Sequence, residues 1–160
     1  MLLGCSSGPT PAAVASLPVP EPERCQWAKV VRITDGDTIH VDFETGARNQ
    51  VVRYVGIDTP ETKKLDTPVQ PFGPEAADEN EDLVGGKRVC LQKDVSETDQ
   101  FGRLLRLVWT EDGVFVNERL VHDGLAVLDT FPPDVKYVET FRAAQGDART
   151  RRVGLWSKGP

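Results

Sequence analysis

From Trp27 onward the chain alternates apolar and polar residues at the period of a half-buried strand. Val31 and Ile33 alternate with Val30 and Arg32, and Ile39, Val41 and Phe43 alternate with His40 and Asp42, which places successive side chains on opposite faces of a sheet. Asp35-Gly36-Asp37 reads as a tight turn between these strands, and Glu44-Thr45-Gly46 as a second turn into a strand from Asn49 to Ile57. Three strands of a meander result. Pro74 then suits the first turn of a helix whose inner face carries Ala76, Asn80, Leu83 and Val84 and which Gly85-Gly86 ends. Arg88 to Gln92 alternates again, with Val89 and Leu91 on one side. A strand from Leu104 to Trp109 follows, and Asp112-Gly113 signals a hairpin into Val114 to Val116. Asn117 is placed to cap a short helix carrying Leu120 and Val121 that stops at Gly124. Pro132-Pro133-Asp134 opens the last helix, where Tyr137, Phe141, Ala144 and Ala148 recur at helical spacing up to Gly154.

Five main strands and three helices, one of them between the third and fourth strands, is the order of an OB-fold barrel of the α+β class. The chain's 160 residues suit one such domain, set from residue 25 to 160. Residues 1–24 have a different composition, Gly, Ser, Pro and Ala with few large apolar groups, and read as a disordered tether, since such a segment cannot bury enough surface to order itself.

The stretch Arg53-Tyr54-Val55-Gly56-Ile57-Asp58-Thr59-Pro60-Glu61 delivers a guanidinium and two carboxylates within nine residues. On a strand Arg53, Val55 and Ile57 share a face, and Asp58 falls where the strand runs out. Pro60 removes a ladder donor and biases Thr59 toward extended backbone, so Asp58 and Glu61 sit at a strand end and in the following loop, able to converge. Each residue alone has an ordinary reading as a surface ion pair, a turn residue or a solvated charge.

In combination they do not. Asp35-Gly36-Asp37-Thr38, Arg53 to Glu61, Phe72-Gly73-Pro74-Glu75-Ala76, Thr98 to Arg103, Val116-Asn117-Glu118 with Leu120-Val121, Gly124-Leu125-Ala126 and Gly154-Leu155-Trp156-Ser157 occur in the order and at the spacing of the thermonuclease (micrococcal nuclease) family, which the chain resembles from Gln26 to Ser157. The resemblance implies the same OB-fold barrel and a calcium-dependent phosphodiesterase, endo- and exonucleolytic, that cleaves DNA and RNA at the 5′ P–O bond and leaves 3′-phosphorylated products. It implies Asp37, Asp58 and the Thr59 backbone carbonyl as Ca2+ ligands, which fits a cation that prefers oxygen donors, with Asp35 behind them. It implies Glu61 as the group that activates water and Arg53 and Arg103 as the phosphate clamp.

Several positions depart from the family. Gln100 and Phe101 stand where the best-known members carry a basic residue followed by Tyr. The loop from Thr62 to Pro71 keeps Lys63 and Lys64 but adds Asp66, and Val127 to Phe131 offers only Phe131 as a platform for a base. Lys63, Phe101 and Phe131 are thus the candidate substrate contacts. The net charge of −6 argues against nonspecific polyanion binding, because Lys and Arg supply most of that affinity. Nucleic acid is therefore expected to bind locally at one cleft, single strands in preference to duplex, and to a monomer.

Leu2-Leu3-Gly4-Cys5 is similar to the lipobox of bacterial lipoproteins, with Cys5 as the lipidated residue and the membrane as the point of attachment, although no basic n-region or full apolar h-region precedes it. An exported protein, extracellular or on the cell envelope, is expected. In the fold implied by the resemblance the strands bearing Cys25 and Cys90 are neighbours, which points to a Cys25–Cys90 disulfide in an oxidising compartment. Two rival readings make different demands on the sequence. A non-catalytic OB-fold module binding single strands should have lost a site position, and Asp37, Arg53, Asp58, Glu61 and Arg103 are all present; a structural envelope lipoprotein would need no such set.

Overall fold

Strand β1, Gln26–Asp35, is long enough to pair on both sides: with β2, Thr38–Phe43, through the Asp35–Asp37 turn, and with β5, Arg88–Gln92, through Gln26 to Lys29. The computed structural model describes residues 16–62 and 68–158. β3, Gln50–Tyr54, continues the meander antiparallel to β2 and lies parallel to β6, Leu104–Thr110, which pairs with β5. The order β1-β2-β3-β6-β5 therefore closes into a five-stranded barrel, and with helices α1, Gly73–Val84, α2, Val116–His122, and α3, Val138–Arg151, the architecture is the expected OB-fold type.

Simple alternation fails in β1. The register passes from Val30↔Val41 to Arg32↔His40, so Val31 is a bulged residue, and such an insertion resets which face each later side chain takes. Val31 is consequently exposed, while Ala28 and Val30 enter the core beside Ile39, Val41 and Val52.

The strand expected from Asn49 to Ile57 is two. It breaks at Val55, and Gly56–Asp58 forms β4, paired with Val127–Asp129, β7, in a separate two-stranded sheet. Gly56 has φ +80°, and a Cβ there would lie 2.5 Å from Cε2 of Phe141. The close approach of α3 thus requires glycine at the break.

Two helix starts also differ from expectation. Val114 to Val116 is not a strand: Phe115 makes one isolated bridge to Trp109, and α2 begins at Val116. Asn117 does not cap it. Its buried side chain accepts from the Val108 N–H at 2.9 Å and donates to the Val55 carbonyl at 3.0 Å, satisfying two backbone groups orphaned at the strand break. The last helix starts at Val138 rather than at the prolines and ends at Arg151, with Arg152 in the left-handed conformation. Tyr137 and Phe141 join Trp109 and Phe115 in one aromatic cluster, the Trp109 and Phe115 rings stacked at 4.4 Å.

The N-terminal arm is not free up to Arg24. Trp109 Nε1 donates to the Pro18 carbonyl at 3.2 Å, Gln92 Nε2 to the Glu21 carbonyl at 2.8 Å and Arg24 Nη2 to the Lys93 carbonyl at 2.9 Å. Cys25 and Cys90 form a disulfide with Cα atoms 5.0 Å apart, and Glu21 pairs with Lys136. Attachment to the barrel thus begins at Pro18. Cys5 lies outside the described residues.

Candidate active site

The β1–β2 turn, the end of β3 and the segment after β4 meet at one edge of the barrel. Gly36 permits this: a Cβ there would stand 2.7 Å from Cβ of Ala76 on α1 and 2.8 Å from Cγ2 of Thr59. Asp37 is 4% exposed. Its Oδ2 accepts the Thr59 N–H at 2.8 Å and pairs with Arg53 Nη1 at 2.8 Å, and its Oδ1 accepts from Thr38 Oγ1 at 3.1 Å. Arg53 Nη2 reaches Asp58 Oδ1 at 2.7 Å, and Nη1 also donates to the carbonyls of Tyr54 and Ile57 at 3.1 and 2.9 Å. The guanidinium thus draws together two carboxylates that lie 21 residues apart in sequence.

Burial pushes the Asp58 carboxyl above its usual range, and the charges of Asp37, Asp129 and Glu61 add to this against the pull of Arg53. Burial, with the neighbouring Asp37, pushes Asp35 up to about 6. Negative charge therefore exceeds positive charge at this edge, the electrostatic setting of a cation site. Glu61 is fixed by its backbone, with its N–H donating to Gln70 Oε1 at 2.9 Å and its carbonyl accepting the Gln70 N–H at 3.0 Å. Its carboxylate carries no hydrogen bond among the described residues. Lys63 lies outside them.

Arg103 lies just before β6, whose Leu105 pairs with Arg53 of β3. Asp99 Oδ1 accepts the N–H groups of Phe101 and Arg103 at 2.9 and 3.0 Å, and Asp99 Oδ2 accepts Arg103 Nε at 2.7 Å. Burial raises the Asp99 carboxyl, but these bonds more than offset it and hold the group below its usual range. Arg103 is left with both Nη groups unbonded among the described residues. Arg53, Arg103, Asp99, Asp129, Phe131 and Asp134 line one open cleft of about 220 Å³ with the backbone around Gly56. Phe131 is 69% exposed on its wall. Phe101, 74% exposed, stands beside Arg103, whose guanidinium lies 5.5 Å from the ring centroid.

The groups behind the site stand outside the residues that the sequence motifs single out for function. Asp99 orients Arg103, and its signal was present, an acid four residues before the arginine in a Gly-containing turn. Buried Asn80 donates to the Asp35 carbonyl at 3.1 Å and accepts from Tyr54 Oη at 2.8 Å, while the Tyr54 N–H donates to the Asp37 carbonyl at 2.9 Å. A lone Asn on the apolar stripe of α1 was the sign of it. Arg106, buried and hydrogen-bonded to Gln26 Oε1 at 3.1 Å, the Glu97 carbonyl at 3.1 Å and the Glu97 carboxylate, suspends the loop that carries Asp99 from β6.

Fold and site together define a small OB-type barrel bearing an acid–arginine cleft at one edge. Residues 51–158 match the family described as staphylococcal nuclease homologue, and the chain belongs to that family. It is 42% identical over 132 residues to the thermonuclease of Staphylococcus hyicus, covering 82% of this chain and 76% of that protein. It is 38% identical over 129 residues to the thermonuclease of Staphylococcus intermedius, covering 81% and 75%. It is 40% identical over 129 residues to the endonuclease YncB of Bacillus subtilis (strain 168), covering 79% of this chain and 60% of that protein.

Proposed function

We propose that this protein is a calcium-dependent nuclease that hydrolyses DNA and RNA, releasing the 5′ oxygen and leaving 3′-phosphorylated products. The observation that carries the reading is the double pairing of Arg53 with Asp37 and Asp58 in a cleft that Arg103 also lines, in a chain of the nuclease family. The donor set suits Ca2+: two carboxylates and the Thr59 carbonyl are hard oxygen ligands, and water and a phosphate oxygen can complete six to eight positions. Among the described residues no group of three or more His, Cys, Asp or Glu is placed to hold a metal ion, so the proposed site relies on two carboxylates and a backbone carbonyl, with water and substrate completing the shell. When bound, the ion supplies positive charge to offset and orient a phosphate.

Glu61 accepts the proton of the attacking water, a task for which an uncommitted carboxylate on a fixed backbone is suited. Arg103, held by Asp99 through Nε, presents its two remaining nitrogens to phosphate oxygens, and Arg53 adds its charge from the neighbouring strand. The net charge of −6 makes capture of long duplexes unfavourable and favours flexible single strands as substrate. The Cys25–Cys90 disulfide supports an exported protein, because such bonds persist in oxidising compartments; attachment through a lipidated Cys5 belongs to the same proposal.

The deciding experiment is hydrolysis of single-stranded DNA, duplex DNA and RNA by purified protein. Activity is expected in calcium, lost on chelation and poor in magnesium, which insists on octahedral geometry and holds its waters. Equal rates in magnesium and calcium would overturn the metal assignment, and affinity for single strands without hydrolysis would favour the binding-module reading.

A further inference from the structure

Of the three carboxylates lining the cleft, two are engaged. Asp99 spends its oxygens on the Phe101 and Arg103 loop. Asp134 Oδ1 accepts the backbone N–H groups of Val95 and Ser96 at 3.0 and 2.8 Å. On either side of Asp129, the Leu128 N–H donates to Gln145 Oε1 at 2.9 Å and Thr130 Oγ1 donates to the Gly56 carbonyl at 3.3 Å. Asp129 itself lines the cleft, opposite Gly56 in the β4–β7 pair. Its carboxylate makes no hydrogen bond or ion pair among the described residues.

An uncommitted carboxylate in a cleft built to take phosphate works against phosphate binding by charge. It adds to the negative field at Asp58, but toward the nucleotide itself it is useful only for a part of the ligand that donates hydrogen bonds. In a nucleotide that part is the base, and Phe131 in the same cleft offers an exposed ring on which an unstacked base can lie, leaving its hydrogen-bonding edge to a neighbouring polar group.

We infer that Asp129 reads the base, selecting nucleotides whose Watson–Crick edge donates, guanine first, and discriminating against thymine and uracil. The inference rests on the nuclease reading above and adds a substrate preference to it. At neutral pH a carboxylate only accepts hydrogen bonds. Guanine presents two adjacent donors, N1–H and the N2 amino group, which match the two oxygens as a guanidinium does. Adenine and cytosine present one amino group each. Thymine and uracil present a single N–H between two carbonyl oxygens, which would face the carboxylate at repulsive range. A site built to accept such bonds rejects a partner lacking the donors more strongly than an apolar pocket rejects a misfit, because the polar group is left unpaired.

The test is cleavage of an end-labelled pool of single-stranded oligonucleotides of random sequence in calcium, with the bases flanking each cut read by sequencing. The wild-type protein is expected to favour one flanking position occupied by guanine over thymine by about tenfold or more, the scale of one good base contact. Asp129→Asn, which keeps the shape but also donates, should shift the profile toward thymine, and Asp129→Ala should flatten it. The measured quantity is the ratio between bases, so a change in total rate does not confound it. Identical profiles in all three proteins, or a wild-type preference for thymine, would overturn the inference. If no cleavage occurs, the nuclease reading fails by itself, and calorimetry with guanosine and thymidine 3′,5′-bisphosphates in calcium decides the matter: tighter guanosine binding that disappears in Asp129→Ala upholds base reading, and equal affinities refute it.

Discussion

The Asp37 carboxylate accepts the backbone N–H of Thr59 at 2.8 Å, so a side chain on the first turn of the barrel fixes the position of a residue 22 places further on. Asp37 is buried, whereas the Asp58 side chain is 51% exposed. The two carboxylates should therefore differ in what their loss does. Asp37→Ala is expected to remove activity and calcium binding and also to cost on the order of 2 kcal/mol, since it strands a buried N–H and part of a guanidinium. Asp58→Ala should remove activity with little change in stability. Thermal melts and calcium titrations of both variants check this, and equal destabilisation would contradict the assigned role of the Asp37–Thr59 bond.

Glu61→Gln should preserve calcium and oligonucleotide binding while lowering kcat by roughly a hundredfold or more, the scale expected when a positioned base is lost. Wild-type turnover in this variant would remove Glu61 from the proton transfer.

Because Asp99 holds Arg103 by Nε and by its backbone, Asp99→Ala should release the guanidinium without touching the proposed calcium ligands. Turnover is expected to fall by about ten- to a hundredfold with an unchanged calcium half-saturation, since misplacing a clamp is costly even when its charge remains. Arg103→Lys should fall further, because a point charge lacks the two-pronged donor face. A shift in calcium dependence for Asp99→Ala would show that the loop serves the ion instead.

Asp35 gives a stability prediction with a definite sign. Its carboxyl rises from 3.8 to about 6 on folding, so between those values the folded protein holds a proton that the unfolded chain releases. Stability from this group is lost as pH rises through that window, and the loss is complete above about 6. Asp35→Asn, which can keep the acceptor for the Asp37 N–H, should melt at the same temperature as the wild type near pH 4. Above pH 7, without calcium, it should melt about 3–6 °C higher, equivalent to about 1–2 kcal/mol after allowance for solvent screening. A constant difference across that range would rule out the buried charge as the cause.

The Cys25–Cys90 bridge spans 65 residues. In the loop-entropy picture such a bridge stabilises by about 4 kcal/mol, so reduction or the Cys25→Ser, Cys90→Ser double variant should lower the melting temperature by roughly 10 °C. Amide exchange should rise first at the backbone of residues 18–29, where the arm and β1 are held.

What could be read from sequence was local. Arg53, Asp58 and Glu61 lie on a strand and at its end, where their own neighbours specify them, and the barrel order followed from alternation and turn residues; that Asp37 and Thr59 join them was legible only through the family motif. What escaped depended on contacts distant in sequence. The break at Gly56 is imposed by Phe141 from the other end of the chain, and Asn117, a credible cap in isolation, is drawn inward by the backbone groups that this break exposes. The bulge at Val31 is invisible because alternation on either side of it looks regular. β7 is three residues long, too short for a period, and Arg106 reads as a surface charge until Glu97 and Gln26 surround it.

The disulfide also determines how the domain carries a mechanical load. It joins the start of β1 to the middle of β5, across the seam that closes the barrel. Without it, a pull on the chain ahead of Cys25 would act on the first hydrogen bonds of that seam and peel β1 from β5 one pair at a time. With it, the pull passes through the Cys25–Cys90 bond into β5, which is flanked on both sides by paired strands, and the seam is bypassed. The cleft edge, formed at the opposite end of β1 by Asp35 and Asp37, is thereby isolated from tension on the arm.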